Sequence, residues 1–441
     1  MFRPSDDSTA DAATPYRRLG GDPLRLPSLQ SALDVDIVVV GGGIAGCSAA
    51  LHAAEAGARV ALLDGMTIGW GASSRNSGHL PPATKHEPDV VLRRYGSERG
   101  QRIIDASAAG PQTLRELAER HKIDCSLAFP GIISVAHTPK AMRKLEKRAA
   151  YWAPRGAPIE VLDRDRTAAM VGSRFYLGGV LDKRGGSINP LAYVRGLARA
   201  AIAAGAEIYE NSRAVALERD GDRWKVSTHR GSVRAERVFL CTNAHTDALW
   251  PGLRQTVIPV RVVQLYTKPL SDNLRQSILP GRQPLLDTRR VANALRVHDD
   301  GALHFSYGPM MRGGSAPSAA TALARVRELF PQLGEVEVDD WWAGWMGFNP
   351  DDSWQLHNPA PGIYATLGCN GRGVVLATLY GRDLAQLAAG VPIEDLTLPV
   401  TPLKKVLFHS FSGVGVAMVR QWYRTLDAQD VRRTRVLRDA P

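Results

Sequence analysis

Cysteine is scarce in this chain: Cys47, Cys125, Cys241 and Cys369 are the only four among 441 residues. They stand far apart, with no C-x-x-C pair and no Cys/His spacing suited to a zinc site, so no metal is expected. Such sparse usage fits a reducing cytoplasm. No apolar run reaches the roughly 20 residues that a membrane span needs. The opening "MFRPSDDSTADAATPYRRLGGDP" lacks the apolar segment of a signal peptide. Hydrolase signatures are missing too: there is no G-x-S-x-G elbow and no Ser–His–Asp order. The Gly-Lys-Ser/Thr ending of a P-loop is also absent.

What is present is glycine, 42 residues, clustered rather than spread. Clustered glycine points to tight turns that serve a ligand. The length allows two or three domains. The net charge is +11, and the basic residues are scattered, with a denser run in "RQWYRTLDAQDVRRTRVLR". No reader motif accompanies that charge, so nucleic acid is not an expected partner. The run could instead rest on an anionic membrane surface.

The first firm element is "DVDIVVV", a β-branched run that reads as a buried parallel strand. It feeds "GGGIAGCSAALHAAEAGA", a glycine turn opening an Ala-rich helix, and then the strand "RVALLD". Together these form a βαβ unit. Gly41, Gly43 and Gly46 fill a G-x-G-x-x-G pattern, and Asp64 ends the second strand about twenty residues on. Gly41 would allow the tight turn, Gly43 close approach to a pyrophosphate, and Gly46 helix–strand packing. Asp64 would accept from ribose hydroxyls. Near the other end, "GIYATLGCNGRGVVLATLYGRDLAQLAAG" repeats the order strand, glycine turn, helix. Two such turns more than three hundred residues apart predict one doubly wound domain built from discontinuous segments.

From "DIVVVGGGIAGCSAALHAAEAGARVALLD" through "GWGASSRNSGHL", the chain resembles the FAD-dependent amine and amino-acid oxidoreductases of the D-amino-acid oxidase superfamily. Its nearest-looking branch is the gamma-glutamylputrescine oxidoreductases. The segments "VRAERVFLCTNAHT" and "IYATLGCNGRGVVLATLYGRDLAQLAAG" carry the same likeness. The resemblance implies an α/β, two-domain fold: a Rossmann-like FAD-binding domain and an antiparallel-sheet α+β substrate domain. The expected boundaries are 34–88, 178–250 and 355–395 for the first, and 89–177 and 251–354 for the second. Residues 1–33 would be an extended leader and 396–441 a helical tail.

Carried over, the resemblance places Gly41, Gly43, Ile44, Ala45 and Gly46 at the FAD pyrophosphate and Asp64 at the adenosine ribose. Gly71, Ala72, Ser73, Ser74, Arg75 and Asn76 would run beside the cofactor toward the flavin ring. Val215 would flank the adenine, with Thr242 and Asn243 near the phosphates. Gly371, Arg372, Gly373 and Val374 would meet the ring's pyrimidine end, where a helix N-terminus and an Arg suit negative charge. The Cys and His that hold flavin covalently in some relatives have no counterpart here, so non-covalent FAD is expected. Val375 stands where some relatives keep a substrate-binding Lys. His304 falls at the place of their oxygen-promoting Lys.

The implied reaction oxidises a primary or secondary amine, or an amino acid, by hydride transfer to flavin N5. The imine then hydrolyses to an aldehyde or keto product, and O2 is the expected acceptor, giving H2O2. The alternative is a dehydrogenase passing electrons to a quinone or carrier at the inner membrane surface. Candidate pocket residues are His79, His304, Tyr307, Trp345 and Arg372. Trp341, Trp342, Trp345 and Trp354 could form one aromatic wall, and Arg289–Arg290 could clamp an acidic substrate.

Overall fold

The computed structural model describes residues 14–20, 22–291, 293–310 and 316–434. The first thirteen residues of the expected leader and the last seven of the tail lie outside them.

Strand Ala32–Val40 is the hub of a nine-stranded sheet. It pairs in parallel with Ser232–Leu240 on one side and Val60–Leu63 on the other. Strands Glu207–Tyr209 and Ile363–Thr366 extend the parallel core. The Val/Ile/Leu run of the hub strand is buried on both faces, as a central parallel strand requires. Helices Ile44–Glu55, Pro190–Ala203 and Gly373–Ala388 pack on one side. Asn189 caps the second of these by accepting from the N–H groups of Leu191 and Ala192, and Pro190 occupies its first turn.

The second sheet has eight strands, ordered Val338–Phe348, Ile258–Pro269, Ala302–Met310, Asn293–Val297, Leu285–Asp287, Ile132–Ala136, Gly178–Asp182, Ile159–Leu162. All of its pairings but one are antiparallel. Its outer face carries a core of its own, built on Val263, Leu265, Leu303 and Phe305 and covered by helix Ala316–Leu329.

Three boundaries differ from the sequence reading. Strand Gly178–Asp182, expected in the flavin domain, belongs to the eight-stranded sheet. Leu396 and Leu398 are buried, and Val400–Thr401 adds a strand to the nine-stranded sheet, so that domain runs past 395. The described part of the leader is docked rather than loose: Tyr16 and Leu29 are each 1% exposed. In addition, helix Ser97–Arg120, expected with the substrate domain, packs on helix Gly373–Ala388 through Gly110, where a Cβ would collide with Val375. Val375 is thus a core contact, which accounts for an apolar residue at that position.

Candidate active site

Gly41 ends the hub strand with φ +110°, a conformation that strains any L side chain. A Cβ there would also lie 2.8 Å from the Cys241 carbonyl oxygen. Helix Ile44–Glu55 starts at Gly43, which has no side chain to cap it. The cap comes from across the turn, because Ser73 Oγ accepts from the Ile44 N–H at 3.0 Å. Asp64 Oδ2 accepts from the Gly42 N–H at 2.6 Å and Oδ1 from the Met66 N–H at 2.7 Å. Burial raises the Asp64 pKa above the ordinary carboxylate value. The carboxylate therefore braces the glycine turn while keeping lone pairs for hydroxyl donors. These residues fit a dinucleotide: a glycine turn whose backbone can be approached closely, a helix N-terminus where only Ser73 caps the Ile44 N–H, and an acceptor at the second strand's end.

The loop after the second strand runs from this cradle to the other sheet. Gly71 opens a 3-10 turn, Ala72–Ser74. Asn76 Nδ2 donates to the Ala72 and Ser73 carbonyls, and its Oδ1 accepts from the Gly78 N–H. Arg75 is 4% exposed. Its Nε donates to the Trp70 carbonyl at 3.1 Å and Nη1 to the Ala343 carbonyl at 3.3 Å, with the guanidinium stacked 4.5 Å over the Trp70 ring. Trp342 Nε1 donates back to the Arg75 carbonyl. Arg75 thus fastens the loop to strand Val338–Phe348. His79 is buried, forms an antiparallel pair with Ser187, and hydrogen-bonds through Nε2 to the Leu295 carbonyl at 3.0 Å.

Strand alternation decides which candidates share a pocket with His79. In Ala302–Met310, Leu303, Phe305 and Tyr307 point into the outer core, so His304 and Ser306 face the loop at 71–78. Register then assigns the neighbours. His304 lies opposite Arg296 and Tyr266, and Gln264 lies opposite Trp342. The expectation that Tyr307 and Trp345 line this pocket is therefore corrected. Tyr307 stacks on Phe305 within the outer core. Trp345 lies opposite Arg261, on the same side as the outer-core residue Val263, with the Arg261 guanidinium 5.5 Å from its ring. The four tryptophans do not form one wall either. Trp342 sits under His304 at 5.1 Å, while the Trp354 N–H donates to Tyr95 Oη beside the helices.

On the loop-facing side His304 is 1% exposed, with Nε2 2.9 Å from Gln264 Oε1 and Nδ1 3.2 Å from His298 Nε2. Arg296 donates through Nη1 to the Ile188 carbonyl at 2.9 Å and through Nε to His298 Nε2 at 2.8 Å. Tyr16 enters from the N-terminal segment. Its hydroxyl donates to the Asn76 carbonyl at 2.9 Å and lies 3.4 Å from His304 Nδ1. Burial, then the Arg296 charge, pushes His79 down to about 4 and His304 well below the ordinary imidazole value. His298 is lowered in the same way. All three imidazoles are neutral at pH 7. His304 is therefore not a cation in place of a lysine; the cation of the cluster is Arg296.

The C-terminal turn is braced by amides. Asn370, at φ +50°, donates to Asn349 Oδ1 and the Ser353 carbonyl. Asn243 Oδ1 accepts from the Gly368 N–H, and Thr242 Oγ1 bonds Thr246 Oγ1. Beyond Gly371, at φ +79° with open space where a Cβ would project, Arg372 precedes helix Gly373–Ala388. Burial, then Arg148, lowers its pKa to about 10, so it stays charged at neutral pH. Val374 is buried, and Val215 is exposed, its N–H bonded to the Ser227 carbonyl.

Arg289 and Arg290 lie away from the pocket. Arg290 bonds Asp427 at 2.9 Å and Asp430 at 2.6 Å on the C-terminal helix, and Arg289 stacks on Phe175. They hold structure rather than an acidic substrate. Among the described residues, His137, Asp427 and Asp430 form the one histidine–carboxylate trio of metal-ligand size, and Arg290 already bridges its carboxylates.

Sequence reasoning missed Tyr16, Gln264, Arg296 and His298. The alternation in "NALRVH" and "ALHFSYG" could have flagged Arg296 and His298 beside His304, given the register. Nothing local signalled Tyr16.

A glycine turn with a terminal acidic residue, joined by a loop to a buried polar cluster under an antiparallel roof, defines a two-domain dinucleotide-dependent oxidoreductase. The chain belongs to the FAD dependent oxidoreductase family (DAO), whose model matches residues 36–387. It is 31% identical over 367 residues to the gamma-glutamylputrescine oxidoreductase of Escherichia coli, covering 82% of this chain and 85% of that protein. It is 30% identical over 391 residues to the "Probable oxidoreductase OrdL" of Rhizobium meliloti, covering 88% and 89%. The crystal structure of glycine oxidase from Geobacillus kaustophilus matches with a TM-score of 0.69 at 23% identity, covering 82% of this chain and 96% of that one. The protein is an FAD-dependent enzyme acting on amines or amino acids.

Proposed function

We propose that this enzyme oxidises a primary or secondary amine in the pocket walled by His79, Tyr16, Arg296, His298, His304 and Trp342, with O2 as acceptor. Bound FAD would supply the two-electron acceptor for the substrate's C–H bond. Gly41, Gly43, Ile44, Ala45, Gly46 and Asp64 would hold its pyrophosphate and ribose. Residues 71–76 would follow its length, and Arg372 with the helix behind it would balance charge at the far end.

The observation that carries this reading is the electrostatics of the roof. Three imidazoles are held neutral by burial and by Arg296. The same two causes act on an amine bound there: both penalise the ammonium form and favour the free base. Only the free base has the lone pair that the oxidation needs. The pocket therefore prepares its substrate by lowering the amine's pKa, without a dedicated general base. His79 Nδ1, buried with no hydrogen-bond partner, would accept from the amine N–H.

Turnover against pH tests this. The rate of flavin bleaching by an amine substrate under anaerobic conditions should rise with pH through an apparent pKa below that of the free amine. In Arg296→Gln that apparent pKa should move up by about one unit, the effect expected of losing a nearby buried charge. A profile tracking the free amine's own pKa in both proteins would defeat the proposal. A panel of polyamines, N-methyl amines and amino acids identifies the substrate.

A second reading, a dehydrogenase handing electrons to a quinone or carrier, is favoured by one observation: His304 is neutral where oxygen-reactive relatives were expected to keep a cation. Peroxide release on admission of air separates the two. FAD is proposed to be held non-covalently; acid precipitation should leave all yellow colour in the supernatant.

A further inference from the structure

Helix Ser412–Arg433 lies across the outer face of the eight-stranded sheet. Ala417, Arg420, Tyr423 and Asp427 recur at three- to four-residue spacing and form its docked side. Asp427 is pinned by Arg290, and before the helix His409 Nε2 bonds the Val257 carbonyl at 2.9 Å. The opposite side should be polar on a helix that only covers a sheet. In its first three turns it is not. Val414, Met418 and Trp422 are 56%, 69% and 60% exposed. Leu407, Phe408 and Phe411, just ahead of the helix, are 80%, 74% and 67% exposed. Val414, Met418 and Trp422, at four-residue spacing, share one side of the helix, with the three exposed residues just ahead of it, and exposed apolar side chains grouped in this way mark an interaction surface.

The charges around the ridge say what it meets. From Leu396 to Leu426 there is no Asp or Glu, while Lys404, Lys405, Arg420 and Arg424 fall inside that stretch. Lys404, Lys405 and Arg424 are exposed, and Asp351 lies 4.0 Å from Lys404 at the edge of the group. A second copy seated on the ridge by two-fold symmetry would bring like charges together. An anionic bilayer surface instead suits Trp and Phe at headgroup depth with lysines beside them. No helix among the described residues is long and apolar enough to cross a membrane, so the contact lies on the surface.

We propose that residues 404–424 form a foot that docks the folded enzyme on an anionic lipid surface. The proposal is independent of the oxidation reading, since the foot lies on the side of the sheet away from the pocket.

Flotation of the FAD-loaded full chain with phosphatidylcholine vesicles, with and without phosphatidylglycerol, tests it. The bound fraction should rise about tenfold with the anionic lipid and fall by a similar factor at high salt. Phe408→Ser/Phe411→Ser and, separately, Lys404→Glu/Lys405→Glu should each cut binding about tenfold, with the melting temperature and anaerobic flavin bleaching unchanged. Three results would overturn the proposal. One is no binding to phosphatidylglycerol vesicles at low salt. Another is equal binding by both variants, which would locate the contact elsewhere. The last is a dimer in light scattering that the Phe variant dissolves, without vesicle binding, which would make the ridge a self-interface.

Discussion

Gly46→Val should purify colourless. Gly46 is the third residue of helix Ile44–Glu55, where the helix crosses the end of the hub strand at van der Waals distance. A Cβ on it would collide with the Gly41 carbonyl oxygen and lie 3.3 Å from Val39 Cγ1. The first obstacle is backbone, so no rotamer change relieves it. Either the helix start moves or the glycine turn opens, and in both cases the N–H groups proposed to hold the pyrophosphate lose their position. Losing two charge-assisted hydrogen bonds at about 1.5 kcal/mol each corresponds to a loss of FAD affinity of more than about a hundredfold. The absorbance ratio at the flavin and protein bands, with FAD titration of the apoprotein, measures it. Overpacking alone costs about 1–3 kcal/mol, so the variant should still fold, with a lowered melting point. A yellow variant with native affinity would show that this turn does not hold the cofactor.

Mild acid should destabilise the protein steeply between pH 6.5 and pH 4. His79, His298 and His304 have their pKa values lowered by burial first and Arg296 second. An unfolded histidine titrates near 6.5. Below that value the unfolded chain takes up protons that the native cluster refuses. The stability contributed by neutral burial is therefore complete above pH 6.5 and is lost as pH falls. His79 stops contributing further loss once pH passes about 4. Each such proton costs about 1.4 kcal/mol per pH unit, so three give a slope of about 4 kcal/mol per unit. Asp287 works against this: burial raises its pKa to about 6, so the native state binds that proton first and gains stability down to the ordinary carboxylate range. Asp64, Asp340 and Asp383 are raised in the same direction, but His52, His86, His137 and His357 are also lowered, so the net slope still favours unfolding. Melting temperatures at constant ionic strength should drop on the order of 5 °C per unit below pH 6.5. A flat profile from pH 7.5 to pH 5 would mean that the cluster admits protons in the folded state.

The geometry of the glycine turn was legible in the sequence because its signal is local. Gly41, Gly43, Gly46 and Asp64 lie within one βαβ unit, and each does a job set by its immediate neighbours. The flavin loop was legible in composition but not in wiring, since Arg75 reaches Ala343, 268 positions away. The roof was the hardest part. His304 and Tyr307 are three residues apart on one strand, and only the pleat and register put them on opposite faces. Burial was invisible as well, and it is burial that makes His304 neutral rather than a stand-in for a lysine. Arg289–Arg290 looked like a clamp because sequence shows charge without its partner, and the partner, Asp427, lies 137 positions away.

Tyr16 gives the chain's first described segment a role in its interior. Its ring lies 5.7 Å from His298, 6.0 Å from His304 and 6.3 Å from Trp342, and its hydroxyl holds the loop carbonyl of Asn76. The C-terminal helix, pinned by Arg290, braces the other side of the same sheet. The span shared with the family, 36–387, contains neither. The eight-stranded sheet is therefore a keystone wedged between Tyr16 on one face and helix Ser412–Arg433 on the other. A fragment trimmed to the shared span would keep every residue of the cofactor cradle and still lose one wall of its pocket.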